Sequence, residues 1–160
     1  MKNLVLILFF IFSALNPLYA YEVFKPISAE EKIPCWASSF PGYTEIIGYS
    51  SLGHVFMKSP SESAYAVLHP FKKGAKSYGV FESPEEFEKQ ILEEESFQVF
   101  VLNRDHVENI REQLGPLEGE EVYIPSPYPF LGGDESIDSY SKGNIWLMLE
   151  IVGQFQDVCP

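Results

Sequence analysis

Little in this sequence points to chemistry. Histidine occurs three times, at His54, His69 and His106, and no two stand at a spacing that marks a metal site. No glycine-rich loop leads into a helix, so no phosphate cradle is expected. Cations are scarce: 11 Lys and Arg stand against 23 Asp and Glu, a net charge of −12. A field of that sign repels phosphates and anionic lipid headgroups, which argues against nucleic acid as a partner and against a stable membrane anchor. No apolar run reaches the ~20 residues that a spanning helix needs. Disorder is not implied, because aromatics make up 15% of the chain and apolar residues 46%.

Cysteine is equally sparse, with only Cys35 and Cys159. An even count suits one bridge in an oxidising compartment, while the plainer alternative is two free, partly buried thiols. Sequence alone leaves both open, since pairing depends on geometry.

What is present begins with a leader. Met1, Lys2 and Asn3 precede twelve apolar or small residues, Leu4 to Leu15, and a small residue, Ala20, follows Tyr19. This reads as a secretory signal peptide over 1–20 and implies an exported protein, periplasmic or secreted. The leader has no terminal cysteine, which argues against a lipoprotein. Residues 21–42 hold Pro26, Pro34 and Pro41 and read as a mostly extended arm with a short helical turn near Ser28 to Lys32. Residues 43–160 then form the single domain.

Within that domain, His54–Lys58 and Ala64–His69 are strands joined by the turn residues Ser59 to Ser63, a hairpin. Ser77–Phe81 gives a further short strand. Ser83, Pro84 and Glu86 start a helix, with a capping residue, a first-turn proline and a capping-box glutamate. Phe97–Leu102 reads as a strand or extended run. Asp105 caps a second helix whose stripe is Val107, Ile110 and Leu114, stopped by Gly115 and Pro116. Glu121–Ile124 is a short strand, and Asn144–Val152 is a buried strand or a buried helix. The expected fold class is α+β: a small antiparallel sheet with two or three helices in one domain.

Charge is unevenly spread. Residues 82–121 hold 13 acidic side chains against Lys89, Arg104 and Arg111, a net of 3 − 13 = −10. The plain explanation is a solvated helical face. The sharper one is a surface built to meet a basic protein. The run Glu93-Glu94-Glu95 is expected at a helix end, where it would oppose the macrodipole.

Catalytic constellations are weak. Gly48-Tyr49-Ser50-Ser51-Leu52-Gly53 misses the nucleophile-elbow spacing by one residue, and Ser139-Tyr140-Ser141-Lys142 matches S-x-x-K without its companion motifs. Three separate imidazoles are the expectation, although the hairpin could bring some of them together. No cofactor is implied.

Leu114 to Tyr123 (LGPLEGEEVY), then Pro125, then Phe130-Leu131-Gly132-Gly133 and the apolar segment to Gln154 resemble the C-terminal domain of a type VI secretion immunity family, known for neutralising a DNase toxin. Gly48–Gly53 with His54-Val55-Phe56, and the Ser83–Leu92 helix, resemble it further upstream. The resemblance implies a non-catalytic protein that neutralises a protein toxin. Two departures accompany it: family members carry an additional N-terminal domain and are usually cytoplasmic. The expectation is therefore an exported binding protein that occludes a basic toxin through an acidic surface. Its candidate contact residues are Glu93, Glu94, Glu95, Tyr128, Phe130, Gly132 and Gly133, with Cys35 and Cys159 as the candidate disulfide. The competing class is an envelope hydrolase using Cys35 or a histidine.

Overall fold

A computed structural model describes residues 20–159. Apart from Ala20, the expected leader lies outside the described residues. Five strands, β1 (Tyr21–Ser28), β2 (Glu45–Ser50), β3 (Val55–Ser59), β4 (Ala64–His69) and β5 (Gly74–Val80), form one antiparallel sheet in sequence order. Two short helices, α1 (Ala29–Lys32) and α2 (Pro34–Ser39), join β1 to β2. Ser28 caps α1 by accepting the Glu31 amide at 3.3 Å.

The central strands are apolar on both faces, and the period of two sorts the residues of β3 and β4, while β1 and β2 each shift register once. Ile47, Phe56, Tyr65 and Val67 face one core; Ile46, Met57, Ala66 and Leu68 face the other. Helices cover each side. Over the first lie α3 (Pro84–Phe87), which runs on as a π-helical stretch Glu88–Leu92, then α4 (Glu95–Phe100) and α5 (Arg104–Leu114). Over the second lie α2 and α6 (Ile145–Phe155). A two-stranded ribbon, β6 (Glu121–Pro125) with β7 (Tyr140–Asn144), leads into α6 and is tied to the sheet where the Tyr123 amide donates to Ser51 O at 2.8 Å. The class is α+β. Among the described residues α5 and α6 are the longest α-helices, at 11 residues each.

Two sequence expectations are overturned. Phe97–Leu102 is mostly helix, because Glu94 caps it: its carboxylate accepts the Phe97 amide at 3.0 Å. Asp105 is not the cap of α5. Asn103 takes that place in the left-handed region (φ 51°), which its short polar side chain tolerates, and the chain turns there from α4 into α5. Other local signals agree with the structure. Ser83 Oγ accepts the Glu86 amide at 3.2 Å, while Glu86 Oε2 reaches the Glu82 amide at 2.6 Å. Gly115 ends α5 at φ +81° with its amide donating to Arg111 O at 2.8 Å.

Asn144–Val152 resolves as helix, with Asn144 Oδ1 accepting the Trp146 and Leu147 amides at 3.0 and 3.1 Å. Trp36, 1% exposed, fastens α2 to α6 through its Nε1–H to Leu149 O at 2.9 Å. Beside it Cys35 and Cys159 form a disulfide, 124 residues apart in sequence. A loop of that length gives about 4–5 kcal/mol in the chain-entropy account. Replacing both cysteines with alanine is expected to lower unfolding free energy by roughly that amount, read as a fall in urea midpoint with a steeper slope, because the unlinked chain unfolds to a more open state.

Candidate functional site

Two surfaces collect the residues that the sequence singles out. The first is the acidic corner between the π-helical stretch and α4. Glu93, Glu94 and Glu95 are all exposed there. Their placement corrects the dipole argument: Glu94 and Glu95 stand at the start of α4, where negative charge is favourable. Hydrogen bonds from the Ser96 hydroxyl, then from the Ser96 and Phe97 amides, hold the Glu94 carboxyl below its ordinary range. Glu95 accepts from Arg104 Nη2 at 3.3 Å, and Arg111 lies 3.5 Å from Glu108. Those cations are thus engaged locally, and the acid excess of this segment stays uncompensated.

The second surface is a mouth at the end of the sheet, where β3 starts and β4 ends. It is a cavity of about 230 Å³ lined by His54, His69, Phe71, Phe100, Pro129 and Tyr140, among others. Register explains the histidines. Val55 pairs with Leu68, so the preceding His54 falls beside His69, and the rings meet edge to face at 4.8 Å. The expectation of three separate imidazoles fails for this pair; His106 lies apart, against Tyr140 at 5.3 Å.

The Ser50 hydroxyl oxygen accepts the His54 amide at 3.0 Å and lies 2.9 Å from His54 Nδ1. One hydroxyl thus meets both the backbone and the ring of His54 and fixes the ring's orientation. Burial, then His69, then Lys72 lower the His54 pKa to about 3. Burial, Lys72 and Lys76 lower that of His69. Both rings are neutral near pH 7. Among the described residues no group of three or more His, Cys, Asp or Glu side chains is placed to hold a metal ion.

Tyr128 and Phe130 flank Pro129, a wall residue of this mouth, and stand behind its wall rather than in it. Their rings stack at 5.4 Å, and both lie against Phe71, at 5.6 and 6.2 Å. Tyr128 also meets Phe155 at 6.4 Å. The glycine pair closes the turn that carries them. Gly132 sits at φ +90°, and a Cβ on Gly133 would stand 2.0 Å from Pro127 O, so no side chain fits there. The structure therefore gathers the candidates into two groups, Glu93–Glu95 and Tyr128–Gly133. It adds His54, His69, Phe71 and Phe100, which the sequence reading did not assign to a surface. The hairpin register was a usable signal for the histidines; Phe100 was hidden by the strand reading.

The chemical alternatives lose their parts. Cys35 is bonded to Cys159 and offers no thiolate. Ser50 is fully buried, so its contact with His54 faces no substrate. Lys142 Nζ donates to Pro116 O at 2.6 Å and serves the loop after α5.

Residues 82–156 match the family model of the T6SS immunity protein Tdi1, C-terminal. The family resemblance carried by Leu114–Tyr123 and Phe130–Gly133 is thereby shown for this part of the chain, which runs from the start of α3 to the end of α6 and holds both candidate groups. The crystal structure of Atu4351 from Agrobacterium tumefaciens is similar in fold, with a TM-score of 0.58 and 16% identity over 85% of this chain and 67% of that one. No curated protein matches the chain in sequence.

The histidine pair makes stability depend on pH. An unfolded chain protonates His54 near its ordinary 6.5, whereas the folded site resists until about 3. The contribution is complete above pH 6.5 and is lost as pH falls through that window, by about 1.4 kcal/mol per pH unit for one such group. Urea midpoints measured between pH 7 and 5 are expected to fall, and a His54→Leu variant is expected to show a shallower slope.

Proposed function

We propose that this protein is an exported, non-catalytic immunity protein that neutralises a toxin by binding and covering it. The carrying observation is the family match over residues 82–156, the same segment that holds the net −10 and the exposed Glu93–Glu95 corner. The toxin is a basic protein. Opposite charge speeds the encounter, and apolar contact holds the complex.

Export is part of the proposal. The mature chain starts at Tyr21, the first residue of β1, and a Cys35–Cys159 bridge suits an oxidising compartment. An exported antidote meets its toxin in the cell envelope, so the toxin's target lies there rather than on the chromosome. The cysteine form of the hydrolase alternative loses its nucleophile, because Cys35 is bonded to Cys159.

Glu93→Lys with Glu95→Lys tests the surface while leaving the Glu94 cap in place. Exposed charges of this kind contribute about 0–1 kcal/mol to folding, so the variant is expected to stay folded. Its association rate with the toxin encoded beside its gene is expected to drop, most at low ionic strength. Cells carrying it are expected to lose protection, while His106→Ala leaves protection intact. Protection unchanged by the charge reversal makes the acidic corner a solvated face only.

A further inference from the structure

The mouth at the end of the sheet is more than a gap between layers. Phe100, on its rim, is 83% exposed, a heavy exposure for a phenylalanine. A large apolar side chain left exposed at the lip of a cavity marks a contact surface. The cavity itself, about 230 Å³, is smaller than the ~300–1,000 Å³ of sites that hold a drug-sized molecule. It is the size for one large side chain.

Charge says which kind. The wall carries one cation, Lys72, one anion, Glu135, and two imidazoles that are neutral near pH 7. An uncharged occupant matches that balance, and aromatic rings on the rim favour another ring. A second copy of this chain is a poor occupant, because each carries −12. Position links the mouth to the acidic corner. Glu95 begins α4 and Phe100 ends it, so the two features lie roughly 8 Å apart along one helix axis. One partner drawn to the first is in reach of the second.

We propose that this mouth is the anchor site of the complex: one aromatic side chain of the toxin enters between Phe100 and Phe71 and ends against the His54–His69 pair. This rests on the immunity reading above. The anchor governs how long the complex lasts, while Glu93–Glu95 governs how fast it forms.

The test has two parts. The full chain, labelled at His and Phe, is titrated with N-acetyl-tryptophanamide and N-acetyl-tyrosinamide and followed by NMR. Saturable shifts at the His54 and His69 rings and at Phe100, lost in Phe100→Ala, are expected. Shifts that never saturate, or that avoid these residues, overturn the site. The second part measures dissociation from the toxin encoded beside the gene. Phe100→Ala is expected to raise the off-rate about tenfold or more with little change in on-rate. Val80→Ala, at a residue 69% exposed on β5 at the other end of β4, is the control and is expected to change neither. An unchanged off-rate for Phe100→Ala refutes the anchor and leaves the immunity reading standing. A wild-type chain that neither binds nor neutralises that toxin defeats the immunity reading, while the titration still decides whether the mouth takes aromatic groups.

Discussion

Burial of both faces of the central strands of the five-stranded sheet is the constraint from which the rest of the molecule follows. Ile46 and Ile47, or Phe56 and Met57, are neighbours in sequence that bury into opposite cores. A sheet so built needs a cover on each side. The chain supplies one from α3 to α5 and the other from α2 and α6, and the Cys35–Cys159 bridge with the Trp36–Leu149 bond fastens the second cover to itself. With both faces of the central strands β2 to β4 occupied, the inner sheet has no flat surface left for a partner. What remains open are strand ends and the corners where covering helices meet, which is where the acidic corner and the aromatic mouth lie.

Helix α4 connects these two places. Its first turn needs a negative cap, and Glu94 provides it; its last residue, Phe100, has no core to enter because Phe97 and Leu102 fill that role. Local rules of helix starts therefore account for part of the glutamate run, and the exposure of Phe100 is what helix geometry leaves over. The division of labour in the proposed complex, steering by charge and holding by an apolar anchor, maps onto the two ends of a six-residue helix.

Much of this was readable in the chain. The β3–β4 hairpin, the Ser83 helix start and the Gly115 stop rest on short-range signals, a capping hydroxyl or a residue that accepts positive φ, and those signals act alone. The α+β class and the family resemblance were legible for a similar reason. Phe97–Leu102 failed because five apolar residues in six look extended until the capping carboxylate three residues before Phe97 is counted. Asp105 failed because Asn103 reached the left-handed region first. The His54–His69 pair needed strand register, which sequence spacing of fifteen residues does not display. The aromatic mouth needed three segments far apart in sequence to converge, and nothing local records that.

The far edge of the sheet has its own consequence. Strand β5 leaves one side unpaired, and Lys76 stands over the Tyr78 ring at 4.9 Å beside Lys72 and Lys73 of the preceding turn. Lys76 lies on the strand edge where a second sheet could be added, with Lys72 and Lys73 in the turn that leads into it. Two such edges brought together would set like charges against each other at ~5 Å strand spacing. A cation on an edge strand is the kind of charge that disfavours such pairing.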